Sequence, residues 1–520
     1  MPTPTKPFTK PARRARRAVL ILAAAFAALL SPLGITPVQA AVPTTPYSSL
    51  TNQFQNYGNS SGAWNGADGA ESLKLPDGRV LWFFNDTYHG PVNPDGTRRP
   101  FQSRFLRNSL VIQNGSAMST VTGSANGPSS LVEAAVPGEW LWGGDQMLSG
   151  GTVYKFYQRI APVPPPCQGD FCFRVNGAEL VAMPVATITD PTTYRKVPVP
   201  SPADCVPGVH CTLWGTALVS DATYTYLYNT EYDHTGGVLN KYLHLARVPK
   251  GQFTGTWEYW NGSTWSTDPA QSARMMNGVS EGFSVTYTGG RYVLITQGLT
   301  GALAGNMEAY YSATPTGFNG GNKTVLHMTR ETTTDTGNWT YEYRLVPHLS
   351  SGNTVVVAYS VNSLYVDGAC TAQNYWQANL YRPRFVQFTL PATAQGGAYI
   401  SPTKAPPGAP WTMTRPDYCT DNTKAAPAPT NVKATALTGA AIKLSWTRPT
   451  PGGKWSYEGK WRDATAGQAW SDWVLFTPDA DNWTPALLAP GHKYEFQMRA
   501  VAWSGAVSAW LPVVSAVAQP

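Results

Sequence analysis

An all-β chain, a five-bladed β-propeller followed by a β-sandwich, is what the sequence predicts, and three observations carry that expectation. The 520 residues include 48 Gly and 44 Pro, well above ordinary usage, so turns are dense. Charged residues make up only 13% while aromatics reach 12%, which leaves little material for salt-bridged helices or coiled coils. Short alternating or aromatic-rich segments run from Ala41 to about Tyr418, punctuated by Asp-Gly, Asn-Gly and Gly-Gly turns, with no capped amphipathic helix among them. A hydrophobic share of 42% excludes disorder throughout, and the length implies more than one domain.

Residues 1–40 read as an export signal. Lys6, Lys10, Arg13, Arg14, Arg16 and Arg17 give a basic start, Ala18 to Leu30 an apolar run, and Val38-Gln39-Ala40 a small-residue cleavage signature. The Arg pairs lack the preceding Ser and following Phe-Leu-Lys of a twin-arginine signal, which favours the ordinary secretory route. No other apolar run is long enough to span a membrane. The whole chain carries a charge of +7, but removing those six cations leaves 32 basic residues against 31 acidic ones. A basic face for nucleic-acid phosphates therefore loses its support. Six cysteines in an exported chain imply three disulfides, with Cys167 and Cys172, Cys205 and Cys211, and Cys370 and Cys419 as local pairs among the connectivities left open.

The first unit is a hairpin: Leu73 to Leu75, a Pro76-Asp77-Gly78 turn, then Arg79 to Phe84. Gly151 to Ile160 reads as a strand, and Ala217 to Ser220, Tyr224 to Asn229 and Lys241 to Val248 as three more in one unit. Trp257 to Trp265 gives an outer hairpin, Phe283 to Tyr287 with Arg291 to Thr296 the next sheet, and Tyr341 to Val346 with Thr354 to Tyr359 another. Recurrence of such units at intervals of several tens of residues is a propeller signature, with unit starts near Gly66, Trp140, Trp214, Gly278 and Asn306; a pair of sandwiches spaces strands similarly. The propeller is assigned to residues 41–422, a Pro/Ala/Thr linker to 423–430, and a last domain to 431–520. There Lys443-Leu444-Ser445-Trp446 and the Leu488 to Ala500 segment around Tyr494 resemble the buried-Trp strand and tyrosine corner of a fibronectin type III domain. Trp455, Trp461, Trp470, Trp473 and Trp483 exceed what one core needs, so a sugar-stacking surface stands beside plain packing as an explanation.

Pairing about a turn centred on Asp77 sets Asp68 opposite Asp86 at the open end of the first hairpin. Directly opposed residues lie about 4.5–5.5 Å apart at Cβ. Like charges that close push their pKa values apart, and one protonated acid beside one ionised base is what glycosidic hydrolysis uses. The alternative is that both aspartates cap backbone amides at strand ends. Trp82, Phe83, Phe84 and Tyr88 argue against it, because a charge among them is costly.

The Gly66-Ala67-Asp68-Gly69 start, the Leu75-Pro76-Asp77-Gly78-Arg79 turn, the Leu81 to Thr87 strand and Asn108-Ser109 resemble the first blade of secreted bacterial five-bladed propellers of unknown function, a group similar to endo-D-arabinanases. Trp214-Gly215, Leu243 to Pro249, Phe283 to Val285 and Val346 to Ser350 leading to Tyr359 and Asn362 extend the resemblance over about residues 50–370. It implies an inverting glycoside hydrolase with Asp68 as base and Asp86 as acid. Other propeller glycosidases take one carboxylate from each of three blades, which would cast Asp68 as base, Asp145 as the orienting or pKa-setting carboxylate and Glu281 as acid. Tyr88, Trp142, Trp214 and Tyr359 are candidate sugar platforms, and Asn108, His348 and Asn362 candidate hydroxyl ligands. Serine-hydrolase, phosphate-loop, Rossmann and His-Glu-x-x-His motifs are absent.

These features predict a secreted, monomeric glycosidase acting on an extracellular polysaccharide without an organic cofactor; nothing calls for a bound calcium or sodium. The rival expectations are a carbohydrate-binding propeller without catalysis and a wall-interaction protein acting through its Trp-rich last domain.

Overall fold

The computed structural model describes residues 42–395 and 427–520, apart from 43, 95, 99–102, 124–127, 163–172, 200–210, 233–240, 299–306, 327–337, 364–372, 450–454, 469, 471–473, 477–480, 485–487 and 503–506. The expected export signal, the first half of the linker, Trp473 and every cysteine but Cys211 lie outside the described residues. Among the described residues the fold is all-β apart from short helices.

Five larger antiparallel sheets follow one another along the chain. The first holds Glu71–Lys74, Val80–Phe84, Ser109–Asn114 and Ala117–Val121. Trp140–Ser149, Thr152–Pro162, Phe173–Pro184 and Arg195–Val197 make the second. The third is built on Cys211–Ser220, Tyr224–Tyr232 and Lys241–Pro249, with the hairpin Glu258–Trp260 and Trp265–Ser266 outside them. Ser284–Thr288, Arg291–Gln297, Met307–Ser312 and Lys323–Val325 form the fourth. In the fifth, Asn338–Leu345, Thr354–Ser363 and Arg384–Thr389 are joined at the outer edge by Thr45–Pro46 from the start of the chain. Among the described residues none of these sheets closes on itself, and Val42 bridges the outer edge of the fourth. The fifth starts at Asn338 rather than near Asn306, because Met307–Ser312 pairs back onto Arg291–Gln297 as a third strand of the fourth sheet.

The order of packing follows from strand parity. Leu81 and Phe83 face a cluster shared with Leu141, Val153 and Val181 of the second sheet. Val80, Trp82 and Phe84 point the other way, into a cluster with Val356, Ala358 and Phe385 of the fifth. A strand buried on both faces reads as a continuous apolar run, and Val80–Phe84 is buried throughout. Further clusters join the second sheet to the third, the third to the fourth and the fourth to the fifth.

The sequence hid one element. Ser48–Ser60 is a 13-residue helix whose N-terminus has no side-chain cap and no acidic residue in its first turn. Tertiary packing holds it: Phe54 lies 5.3–5.8 Å from the rings of Trp64, Trp82, Phe84 and Phe385.

Residues after 427 form a separate two-sheet sandwich. Thr430–Leu437, Ala441–Thr447 and Asn482–Trp483 make one sheet; Val474–Phe476, Trp455–Asp463, Lys493–Ala502 and Val514–Val517 make the other. Trp446 is buried against Tyr457, and the Ala489 amide donates to the Tyr494 hydroxyl at 2.8 Å, closing the tyrosine corner. Trp461 and Trp483 pack on this core, while the Trp470 ring carries Lys460 and Arg462 at 4.9 and 4.8 Å. Packing and cation contacts therefore account for these three better than a sugar platform does.

Candidate functional site

The site grows out of the first hairpin. Its turn closes through Leu75 and Arg79, and Glu71 pairs with Phe83. The same register continues into a small sheet of Trp64–Ala67, Thr87–His89 and Arg104–Leu106, where Ala67 pairs with Thr87. Asp68 and Asp86 sit between the two sheets, directly across from each other, joined by the Asp68 amide donating to the Asp86 carbonyl at 3.3 Å and the Asn85 amide to the Asp68 carbonyl at 2.9 Å.

Their environments differ. Asp68 is 9% exposed. Its Oδ2 accepts from the hydroxyls of Tyr341 at 2.5 Å and Tyr381 at 2.6 Å, while Oδ1 is buried with no hydrogen-bond partner among the described residues. Burial, then the charges of Glu342 and Asp86, push its carboxyl well above the usual carboxylate range despite the two hydroxyls. Asp86 is also raised by burial, but the Arg107 guanidinium at 3.3 Å and the Trp142 indole N–H at 2.9 Å pull it back. Asp68 therefore keeps its proton longer than Asp86.

Aromatic side chains surround Asp86 on one side. Arg107 lies over the Trp140 ring at 4.4 Å, and Trp142 packs edge-on to Phe173 at 4.8 Å. Phe105, 47% exposed, and the buried Tyr88 pack together at 5.1 Å. Tyr88 also touches Tyr375 and Tyr381, both on a segment that crosses the small sheet. That close approach needs Gly66, where a Cβ would fall 2.2 Å from the Tyr381 carbonyl.

Glu342 reaches the pair from the fifth sheet, and sequence reasoning missed it. Its Oε1 accepts from Asn85 Nδ2 at 2.8 Å, and Oε2 is buried without a hydrogen-bond partner among the described residues. The residue lies at a register shift with φ at +51°, so strand alternation does not reveal which way it faces. Burial raises its carboxyl to about 7 against the opposing charge of Arg344. Beneath the site, Glu71 pairs with Lys155 of the second sheet and, at 2.8 Å, with Arg344 of the fifth. Arg344 also donates to the carbonyls of Thr216 and Phe283, tying strands of separate sheets together.

Of the other sequence candidates, Trp142, Tyr88 and Asn362 are at this site; Asn362 takes part through Tyr341 at 3.4 Å and Asn374 at 2.8 Å. The rest have other partners. Both Asp145 oxygens accept backbone amides, from Gln146 at 2.8 Å and Leu218 at 2.7 Å, so it braces the second sheet against the third. Glu281, half-exposed, pairs with Lys241 and is followed by Gly282, which packs against Glu342, so it borders the site without a described contact to either aspartate. Asn108 is spent on Val132 and Leu141 of the backbone. Trp214 and Tyr359, 3% and 4% exposed, pack between sheets and offer no face to a sugar. His348 packs against Trp82 and lines a cavity of about 290 Å³ with Lys74 and Gly78, at the turn end of the hairpin that opens to Asp68 at its other end. Burial and Lys74 lower it to about 4. Among the described residues no three His, Cys, Asp or Glu side chains are arranged to hold a metal ion.

The family model described as a domain of unknown function (DUF5005) matches residues 51–396. The chain belongs to this family. The DUF5005 match takes in Asp68, Asp86, Glu342 and Tyr381, and a fibronectin type III model matches residues 427–514. No curated protein matches the chain. Among solved structures, the DUF5005 chain is similar in fold to a protein of Bacteroides ovatus ATCC 8483 described as a "putative hydrolase", with 19% identity, 66% of this chain and 89% of that one covered, and a TM-score of 0.52. The fibronectin type III domain of human collagen alpha-1(XX) matches at 22% identity over 19% of this chain and 87% of that one, with a TM-score of 0.16.

Proposed function

We propose that the DUF5005 region is a five-bladed β-propeller that hydrolyses glycosidic bonds of an extracellular polysaccharide, arabinan-like polymers first, after export directed by residues 1–40. Support for the propeller is the order of the interfaces, which runs from sheet to sheet and returns from the fifth to the first. The observation that carries the activity is the facing pair Asp68 and Asp86, one held protonated by burial and like charge, the other drawn toward ionisation by Arg107 and Trp142. The similar Bacteroides ovatus protein is described with the same broad reaction class.

In this mechanism Asp86 takes a proton from water as its oxygen bonds to the anomeric carbon, and Asp68 gives its proton to the departing glycosidic oxygen. The roles are the reverse of those the resemblance implies, and the reversal rests on the Arg107 contact, which a sequence does not display. Inversion uses carboxyls roughly 6.5–9.5 Å apart. A binding propeller without catalysis keeps one observation in its favour: both tyrosine hydroxyls already engage the buried Asp68.

The test is product release, by reducing-end assay and chromatography, from arabinans, arabinogalactans and xylans with the wild type, Asp68→Asn and Asp86→Asn. Fragments from one polymer that disappear with both variants are expected. No fragments from any polymer, with retained binding to one, would establish the binding protein instead.

A further inference from the structure

Three features of Glu342 call for a common cause. A non-glycine residue at φ +51° is strained and persists where the surroundings demand it. The entry to the fourth sheet makes room for it, since a Cβ on Gly282 would come within 2.9 Å of Glu342 Cγ. One carboxylate oxygen is then buried without a hydrogen-bond partner among the described residues, which a packing role would not require. Gln would serve the Asn85 contact equally well, because Asn85 donates to Oε1.

What only a carboxylate supplies is charge, and Asn85, whose backbone amide donates to the Asp68 carbonyl and whose side chain donates to Glu342, holds that charge in the neighbourhood of Asp68. Asp86, across the hairpin, also raises Asp68, but its charge is paired with Arg107, and the charge of Glu71 is paired with Lys155 and Arg344; the remaining groups supply no negative charge. Arg344, on the same strand, pairs with Glu71 and with two carbonyls. Lys155 of the second sheet is likewise held by Glu71, and Arg107 by Asp86. Tyr341 and Tyr381 meet Asp68 only as hydroxyl donors, which favours its ionised form.

We propose that Glu342 is a positioning residue whose negative charge, held near Asp68 from the fifth sheet, keeps the Asp68 proton in place at neutral pH and above. Burial raises Glu342 to about 7 and Asp68 further still, so Glu342 loses its proton first, and removal of the Asp68 proton would then add a second buried negative charge to the same site. The purpose assigned to that proton rests on the glycosidase reading, but the inference about Glu342 can be read without substrate.

The experiment is an isotope-edited infrared or NMR titration of the aspartate carboxyls in the full chain, Asp68 being identified by the signal lost in Asp68→Asn. In Glu342→Gln and in Glu342→Gly, which also relieves the φ strain, the Asp68 midpoint should fall by about one pH unit or more. In the hydrolysis assay the alkaline limb should move down by the same amount. An unchanged Asp68 midpoint in both folded variants overturns the inference, even if hydrolysis is found. A lowered midpoint with no hydrolysis by any variant or the wild type upholds the inference and removes the glycosidase reading instead.

Discussion

At the level of single residues, the site is a contest between desolvation and specific partners, and at Asp86 the partners offset in part a burial that still prevails. Burial raises its carboxyl, and the opposing Arg107 contact is long at 3.3 Å, so the 2.9 Å indole N–H of Trp142 carries weight. A hydrogen bond to a charged group is worth about 1.5–3 kcal/mol. Trp142→Phe keeps a ring against Phe173 but removes the donor, which disfavours ionised Asp86 and raises its pKa. The base must be ionised to act, so the acid limb of kcat/KM against pH should shift upward by about one unit, with roughly a tenfold loss below it. An unshifted acid limb would assign that limb to another group. Glu342 marks the opposite limit of what residue types reveal. An isolated Glu between Tyr341 and Tyr343 in a strand reads as an outward charge, and only the register shift turns it toward Asn85.

At the level of elements, the helix Ser48–Ser60 behaves as a plug whose stability is borrowed from the sheets. Phe54 is fully buried among four aromatic rings of the first and fifth sheets and the small sheet. Phe54→Ala should cost about 3–5 kcal/mol in urea unfolding, far more than an uncapped helix of this composition could lose by itself. The contrast with the hairpin explains what was legible in the sequence. Pro76-Asp77-Gly78 is a turn whose geometry sets the register, and the alternation on both sides then places Asp68 opposite Asp86 without further information. The helix had no such local signal, having Tyr47 at its N-cap and Asn, Thr, Ser and Gly through much of its length. The start of the fifth sheet was misplaced because one strand of the fourth, Met307–Ser312, has the same apolar composition as a sheet-opening strand. Trp214 and Tyr359 were read as sugar platforms because aromatic identity does not tell a strand face that meets the next sheet from one that meets solvent.

At the level of the whole molecule, the described chain holds two kinds of cooperativity. The sheets before residue 396 share apolar clusters pairwise, and Thr45–Pro46 completes the fifth sheet from the other end of the same region, so loosening one interface exposes its neighbours. Arg344 and Glu71 add a polar tie through the middle, with partners on the first, second, third and fifth sheets. The sandwich after residue 427 has a core of its own, built around Trp446, Tyr457, Tyr494 and Phe496, and no apolar cluster contains side chains from both regions among the described residues. Two regions with separate cores should unfold as two calorimetric transitions. Deleting residues 427–520 should remove one transition and leave the midpoint of the other within about 2 °C, because cores that share no apolar cluster contribute nearly additively. Turnover of a soluble polysaccharide should then be unchanged, since Asp68, Asp86 and all their partners precede the cut. A single transition in the full chain, or loss of soluble turnover on truncation, would show instead that the sandwich helps to build the site. A selective loss on insoluble polymer would give the sandwich the work of holding the enzyme against its substrate.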